Sequence, residues 1–221
     1  MKALAFSGGK DSMACLHLEL ATLDCAIYID TGFAYPETKA LVEYASALLP
    51  VHIIQTDRAG QNEFEGIPAD VVPIDWTRLG HITTGRKPAL IQSYIGCCYE
   101  NIAQPLFETA KRLGVTHLVY GQRNDETHKA SAVNGDVIGG ITRLHPIETW
   151  TAKDVLAYLA TVMDVPAHYV IGHSSLDCYD CTAFARESSD RVEWMRKKHP
   201  ALYAGYKTRH DALGNALMRS L

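Results

Sequence analysis

An α/β fold, a mostly parallel twisted sheet with helices on both faces, is what this sequence predicts, on three observations. Short apolar runs alternate with segments of helical periodicity. The first two runs end in glycine-containing turns, Ser7-Gly8-Gly9 and Asp30-Thr31-Gly32. The runs are also apolar on consecutive positions, as strands covered on both faces are.

Taken in order, Lys2 to Phe6 reads as a strand, and from Ser12 the apolar positions Met13, Leu16, Leu18 and Leu20 fall on a helical face. Cys25 to Ile29 is a second buried-type strand, and Pro36 stands where a helix favours its first residue. Val51 to Ile54 is a third. From Asp57 to about Pro88 the Gly, Pro and isolated aromatics predict a long irregular connection, a length usually tied to function. A helix from about Ala89 to Leu113 follows, with breaks expected near Gly96 and Pro105. Thr116 to Tyr120, Val137-Ile138 and Thr142 to Leu144 read as strands, and Thr151 as an N-cap with Asp154 near the capping-box position. The tail is polar and helical, with Pro200 and Gly205 as expected breaks. Residues 1–182 are expected to form the main domain and 183–221 a helical appendage.

The 221 residues suit one well-buried core. Twenty-one Lys+Arg against 25 Asp+Glu give a net charge of -4, and 47% apolar with 21% charged residues excludes disorder, collagen-like sequence and coiled coil. No run approaches the roughly 18 to 20 apolar residues of a spanning helix, and no export signal is recognisable, so the expected compartment is the cytoplasm, with no membrane partner.

Ser7, Gly8, Gly9, Lys10, Asp11 and Ser12 connect the first strand to the first helix, where an open parallel sheet holds an anionic ligand. The glycines admit backbone N–H groups to phosphate oxygens, the helix N-terminus adds partial positive charge, and Lys10 and Ser12 add donors. It is not a Walker A loop: Asp11 follows the lysine, and no glycine lies five residues before Gly9. Of the six cysteines, Cys15 and Cys25 read as small core residues. Cys97-Cys98 and Cys178-x-x-Cys181 have metal-ligand spacing that suits zinc or an iron–sulfur cluster, with a redox dithiol or vicinal disulfide as competitors.

The SGGKDS segment resembles the PP-loop of the adenine nucleotide alpha-hydrolase (ATP pyrophosphatase) superfamily, which implies a Rossmann-like fold whose loop holds the pyrophosphate part of ATP. Three further segments resemble the phosphoadenylyl sulfate (PAPS) and adenylyl sulfate (APS) reductases: Asp30 to Gly32 with Pro36-Glu37-Thr38; Gly121, Gln122, Arg123 and Glu126 with Thr127; and His145-Pro146 through Trp150-Thr151 to Asp154-Val155. Gly96 to Leu106 and Cys178 to Thr182 resemble the cysteine segments of APS reductases, which implies that Cys97, Cys98, Cys178 and Cys181 ligate one [4Fe-4S] cluster.

The resemblance implies further roles. Ser7 to Ser12 meet phosphates, and the backbone at Ile29 meets adenine. Asp11 and Asp30, with Thr31 and Gly32 beside them, place Mg2+ or ribose. Arg123 holds the acceptor or α-phosphate, with Gly121, Gln122 and Glu126 beside it, so Lys10, Asp11 and Arg123 are the expected catalytic set. Lys87 is a weaker phosphate candidate, and His145 and His173 merely lie near motifs.

Two departures matter. Asn101 and Ile102 replace an Arg-Lys pair, and no cysteine follows Cys181, where the reductases carry a nucleophilic one. With the loop intact, ATP cleavage to AMP and pyrophosphate, for acceptor activation or sulfur transfer, is the leading expectation. The alternative is APS or PAPS reduction with a cysteine supplied in trans. Expected partners are a thioredoxin-like or sulfur-donor protein and a second copy of the chain. A third reading is a nucleotide- or cluster-sensing module, or a nucleic-acid-modification subunit using the basic run Arg191, Arg196, Lys197, Lys198, His199, Lys207, Arg209 and His210.

Overall fold

The computed structural model describes residues 1–85, 90–126, 132–171, 178–184 and 189–219. The chain runs β1 (Lys2–Ala5), α1 (Lys10–Glu19), β2 (Cys25–Asp30), α2 (Pro36–Ser46), β3 (Val51–Gln55), α3 (Arg58–Glu65), β4 (Ile67–Ala69), α4 (Arg78–Thr84), β5 (Ile91–Ser93), α5 (Tyr94–Cys98) and α6 (Gln104–Arg112). It continues through β6 (His117–Val119), β7 (Val137–Ile138), β8 (Ile141–Leu144), α7 (Ala152–Val162), α8 (Ala167–Ile171), α9 (Ser189–Lys198) and α10 (Pro200–Met218).

Six strands form one sheet in the order β3-β2-β1-β6-β8-β7, parallel except at the antiparallel edge strand β7. Side chains alternate across it. Leu4, Ala26, Tyr28 and Val119 pack under Met13 and Leu16 of α1, Leu41 and Val42 of α2, and Val155 and Leu159 of α7. Their neighbours Ala3, Cys25, Ile27 and Leu118 face Leu106 and Ala110 of α6. Helices therefore cover both faces, as the unbroken apolar strands require.

Chain order reverses between β1 and β6, so the crevice beyond the C-terminal ends of these two strands is the topological switch point, where open α/β sheets bind ligands. Thr151 caps α7 as expected: its hydroxyl accepts from the Asp154 amide at 3.2 Å, and Asp154 Oδ2 accepts from the Thr151 amide at 2.8 Å.

Three expectations are corrected. The stretch from Asp57 to Pro88 is not irregular as far as Gly85: it holds α3, β4 and α4, with Asp57 and Thr77 accepting from the amides of Gly60 and Gly80 as N-caps. Short apolar segments hid these elements, because β4 exists only by pairing with β5, the start of the supposed long helix. That helix begins at Tyr94, and its interruption is a π-turn over Tyr99–Ala103, which leaves the Asn101 carbonyl to accept from Thr56 Oγ1 at 3.2 Å. Gly205 does not break α10, which runs unbroken and seats Leu213 and Ala216 on Ala69 of β4, Ile91 of β5 and Trp76 from the turn between β4 and α4. Met195 of α9 and Tyr206 of α10 pack on Tyr35. Among the described residues no helix is long and apolar enough to cross a membrane.

Candidate active site

The phosphate loop is shaped by its own hydroxyls and by three neighbours. Gly8 has φ +75°, a conformation open to glycine, and a side chain there would press on Thr38 of α2. Ser7 Oγ and Ser12 Oγ lie 3.2 Å apart. Ser12 also donates to the Gly9 carbonyl at 3.0 Å, fixing the first turn of α1. From α8, the buried Tyr169 hydroxyl donates to the Gly8 carbonyl at 2.6 Å. From beyond β6, Gly121 approaches so closely that a Cβ there would stand 2.6 Å from the Asp11 carbonyl carbon. Glycine is required at 121 for the two crevice walls to meet.

Charge at this end is closely paired. Lys10 Nζ donates to Asp11 Oδ2 at 2.8 Å, and Arg123 Nε to Asp11 Oδ1 at 2.7 Å. Arg123, only 5% exposed, also pairs with Asp125 and stands 3.8 Å from Glu126. Burial pulls the Arg123 pKa down, but Asp11, Asp125 and Glu126 outweigh it and leave it raised. Burial likewise holds the Glu126 carboxyl above its usual range. Both Asp11 oxygens are thus engaged by cations, and each side of the Arg123 guanidinium faces a carboxylate. In this geometry the pair ties the β6 loop to α1.

The loop after β2 completes the crevice. Asp30 Oδ1 accepts from the Gly32 amide at 2.8 Å, Gly32 has φ +80°, and Ile29 is in register with Ile54 of β3. Gln122 Nε2 reaches the Ala132 carbonyl at 3.3 Å. The structure therefore brings Ser7 to Ser12, Asp30 to Gly32 and Gly121 to Glu126 to one end of the sheet. Lys87, Thr127 and His173 lie outside the described residues. His145 is buried against Tyr120, with Nδ1 lacking a partner among the described residues, and burial lowers its pKa.

The cysteine region adjoins this crevice. Thr31 Oγ1 lies 3.4 Å from Cys178 Sγ, and the Tyr179 amide donates to the Phe33 carbonyl at 2.9 Å, so the Cys178–Cys181 turn hangs from the loop after β2. Thr182 donates to the Pro68 carbonyl of β4 at 2.6 Å. Cys97 is buried on α5, where Asn101 Nδ2 donates to its carbonyl at 2.9 Å; Cys98 is exposed, and Cys178 and Cys181 are half-buried. No disulfide joins any of the six cysteines. Cys15 and Cys25 are buried, and burial raises both pKa values, as core thiols should behave.

Among the described residues no three His, Cys, Asp or Glu side chains converge closely enough to hold a metal ion. The donor chemistry nonetheless fits an anionic, thiolate-bound group. Arg58 Nη2, Asn62 Nδ2, Arg191 Nε and Arg209 Nε are buried donors without an acceptor of sound geometry among the described residues, and all four residues belong to the wall around these cysteines. Burial raises the Cys97 pKa, with Arg58 opposing.

Tyr169, Arg58, Asp125 and Asp180 are site residues to which sequence reasoning gave no role, and Thr38 entered only as part of the Pro36-Glu37-Thr38 segment. Asp57 before Gly60 was the one available signal, an N-cap that places Arg58 at the start of a helix. Much of the basic run is paired within the fold. Arg196 and Lys197 pair with Glu193, Lys207 with Asp211 and His199 with Glu37, Arg209 meets Asp180, and Lys198 lies over the Trp194 ring.

Fold and site together define a parallel α/β nucleotide-binding fold with its phosphate loop at the switch point. The model of the phosphoadenosine phosphosulfate reductase domain matches residues 2–184, and the chain belongs to that family. It is 24% identical over 168 residues to an adenosine 5'-phosphosulfate reductase of Deinococcus radiodurans, covering 74% of this chain and 58% of that protein. To the enzyme of that name from Streptomyces coelicolor it is 26% identical over 171 residues, covering 74% and 64%. It thus spans less than two thirds of either relative. A crystal structure of phosphoadenylyl-sulfate reductase from Candida auris, a phosphate complex, shares the fold at a TM-score of 0.50 and 19% identity, covering 76% of each chain.

Proposed function

We propose that this protein is an adenine-nucleotide enzyme that cleaves ATP to AMP and pyrophosphate, activating an acceptor or driving sulfur transfer. The observation that carries the reading is the intact loop from Ser7 to Ser12, with Lys10 at the N-terminus of α1 on the switch point. Pyrophosphate oxygens lie against the loop amides and the helix N-terminus, and the Lys10 ammonium passes from Asp11 to the β- and γ-phosphates. The acceptor attacks the α-phosphorus and the bond from Pα to the bridging oxygen breaks. Pyrophosphate leaves with its charge answered by Lys10, while AMP stays on the acceptor until a later displacement. Arg123 acts through Asp11 as a positioning residue, and Asp30 is the carboxylate offered to Mg2+ or ribose. The backbone at Ile29 meets adenine.

In the same reading Cys97, Cys98, Cys178 and Cys181 hold a [4Fe-4S] cluster, and residues 183–221 serve as the appendage that closes this side. When bound, such a cluster supplies electron storage and a soft surface for a sulfur-bearing ligand. The surplus of buried donors around the cysteines supports it.

A second reading has one observation in its favour, the named reductase relatives. The thiolate of a thioredoxin-like partner attacks the sulfur of APS, AMP leaves, and a second thiol releases sulfite. Anaerobically purified protein separates the two. Pyrophosphate release from ATP in the presence of an acceptor, lost in Lys10→Ala, is expected. Sulfite from APS or PAPS with thioredoxin, and no pyrophosphate, would overturn the first reading for the second. Four irons with acid-labile sulfide per chain are expected, and one zinc would remove the cluster.

A further inference from the structure

Behind the Cys178–Cys181 turn lies a buried ionic group that the nucleotide chemistry does not use. Arg58, at the first position of α3, is 2% exposed. Its Nη1 donates to Asp180 Oδ1 at 2.5 Å, and its guanidinium carbon lies 4.7 Å from the Phe33 ring centroid. Arg209, from α10, donates to the other oxygen of Asp180 at 2.7 Å. Two guanidiniums therefore share one carboxylate, and one carboxylate neutralises only one of them. Arg209 is half-buried and reaches water, but the enclosed Arg58 holds only a share of Asp180, and a buried cation answered in part is expensive, so further negative charge on this wall stabilises it. Arg58 Nη2 is buried without an acceptor of sound geometry among the described residues, as is Arg209 Nε. Cys178 and Cys97 lie within electrostatic reach of Arg58 alongside Asp180.

We propose that Arg58 is the counter-charge of the cysteine centre. Its buried guanidinium, pinned by Asp180 and stacked on Phe33, balances the negative charge that Cys97, Cys178 and Cys181 acquire when they bind a metal–sulfur group. The inference rests on the reading of these cysteines as cluster ligands. Arg58 is a positioning and tuning residue, and Asp180 sets how much of its charge the centre feels. Removing the cation should make the cluster harder to reduce and easier to strip. Removing the carboxylate charge while keeping an acceptor should make it easier to reduce, because net charge and hydrogen bonds to sulfur set such potentials.

The test uses the full chain, reconstituted anaerobically with iron and sulfide, as wild type, Arg58→Met, Arg58→Lys and Asp180→Asn. Iron and sulfide content, the reduction midpoint and the rate of iron loss to a chelator are read, with ATP binding and circular dichroism as folding controls. Arg58→Met should move the midpoint to more negative values and speed iron loss about tenfold or more, on the scale of lost second-sphere partners. Arg58→Lys should recover most of both, and Asp180→Asn should move the midpoint the opposite way. Should Arg58→Met not fold, the sign of the Asp180→Asn shift decides. A wild-type cluster whose midpoint ignores both charge changes would overturn the inference alone. A wild-type chain that takes up no iron would overturn the cluster reading and the inference with it.

Discussion

The nucleotide crevice and the cysteine region handle charge in opposite ways. At the crevice Lys10 and Arg123 meet Asp11, Asp125 and Glu126 at a partly open surface, so carboxylates outnumber cations by one. Around the cysteines the enclosed Arg58 and the half-buried Arg209 share Asp180, so two cations answer one carboxylate. On the functions proposed above, the first region exchanges a charged ligand and the second retains one. The supporting structure differs in the same sense. The crevice stands on the six-stranded sheet, whereas Cys97 and Cys98 follow a two-stranded layer whose core comes partly from α10, and the Cys178–Cys181 turn bridges the two.

The largest effect should come from breaking the smaller layer. Ile91→Ala, at a fully buried position just before α5, should cost about 2–5 kcal/mol in denaturant unfolding. It should loosen Cys97 while ATP affinity, measured calorimetrically, holds; equal loss at both sites would mean that the two regions are one cooperative unit.

Gly121→Ala attacks the other side. Its Cβ would force apart the backbones of Gly121 and Asp11, at about 1–3 kcal/mol. ATP binding should weaken tenfold or more with iron content unchanged.

Next is Tyr169→Phe, which leaves the buried Gly8 carbonyl without its hydroxyl donor. That omission is worth about 1–3 kcal/mol, seen as roughly tenfold weaker nucleotide binding with little change in unfolding slope.

The smallest effect is shared by both regions. Burial lowers the pKa of His145 near the crevice and of His168, whose ring faces Tyr169 and Trp194. A depressed histidine contributes stability that is complete above its unfolded value near 6.5. That contribution is lost as pH falls through the folded one. Unfolding midpoints should therefore drop between pH 7 and pH 5, and the double variant His145→Gln, His168→Gln should flatten the slope.

The strand-glycine-helix start, the Pro36 helix, the Thr151 capping box and the two core cysteines were all legible in the sequence, because each is a local device. A cap, a tight turn or an apolar run needs only its neighbours in the chain. The phosphate loop belongs with them, since its hydroxyl and amide contacts span six residues. The family followed from such segments in order, and the comparison with the reductase domain bears it out.

What only the tertiary structure decided is everything that depends on distant partners. β4 and β5 are three residues each and acquire strand character by pairing across 24 positions in sequence, from Ile67 to Ile91. Arg58 looks like any loop arginine until α3 buries it against Asp180, 122 residues away. Tyr169 becomes part of the phosphate loop from 161 residues off. Pattern in a sequence reports which groups must leave water. It does not report which buried charge will face which other, because that is fixed only when separate elements pack and their solvation is lost together.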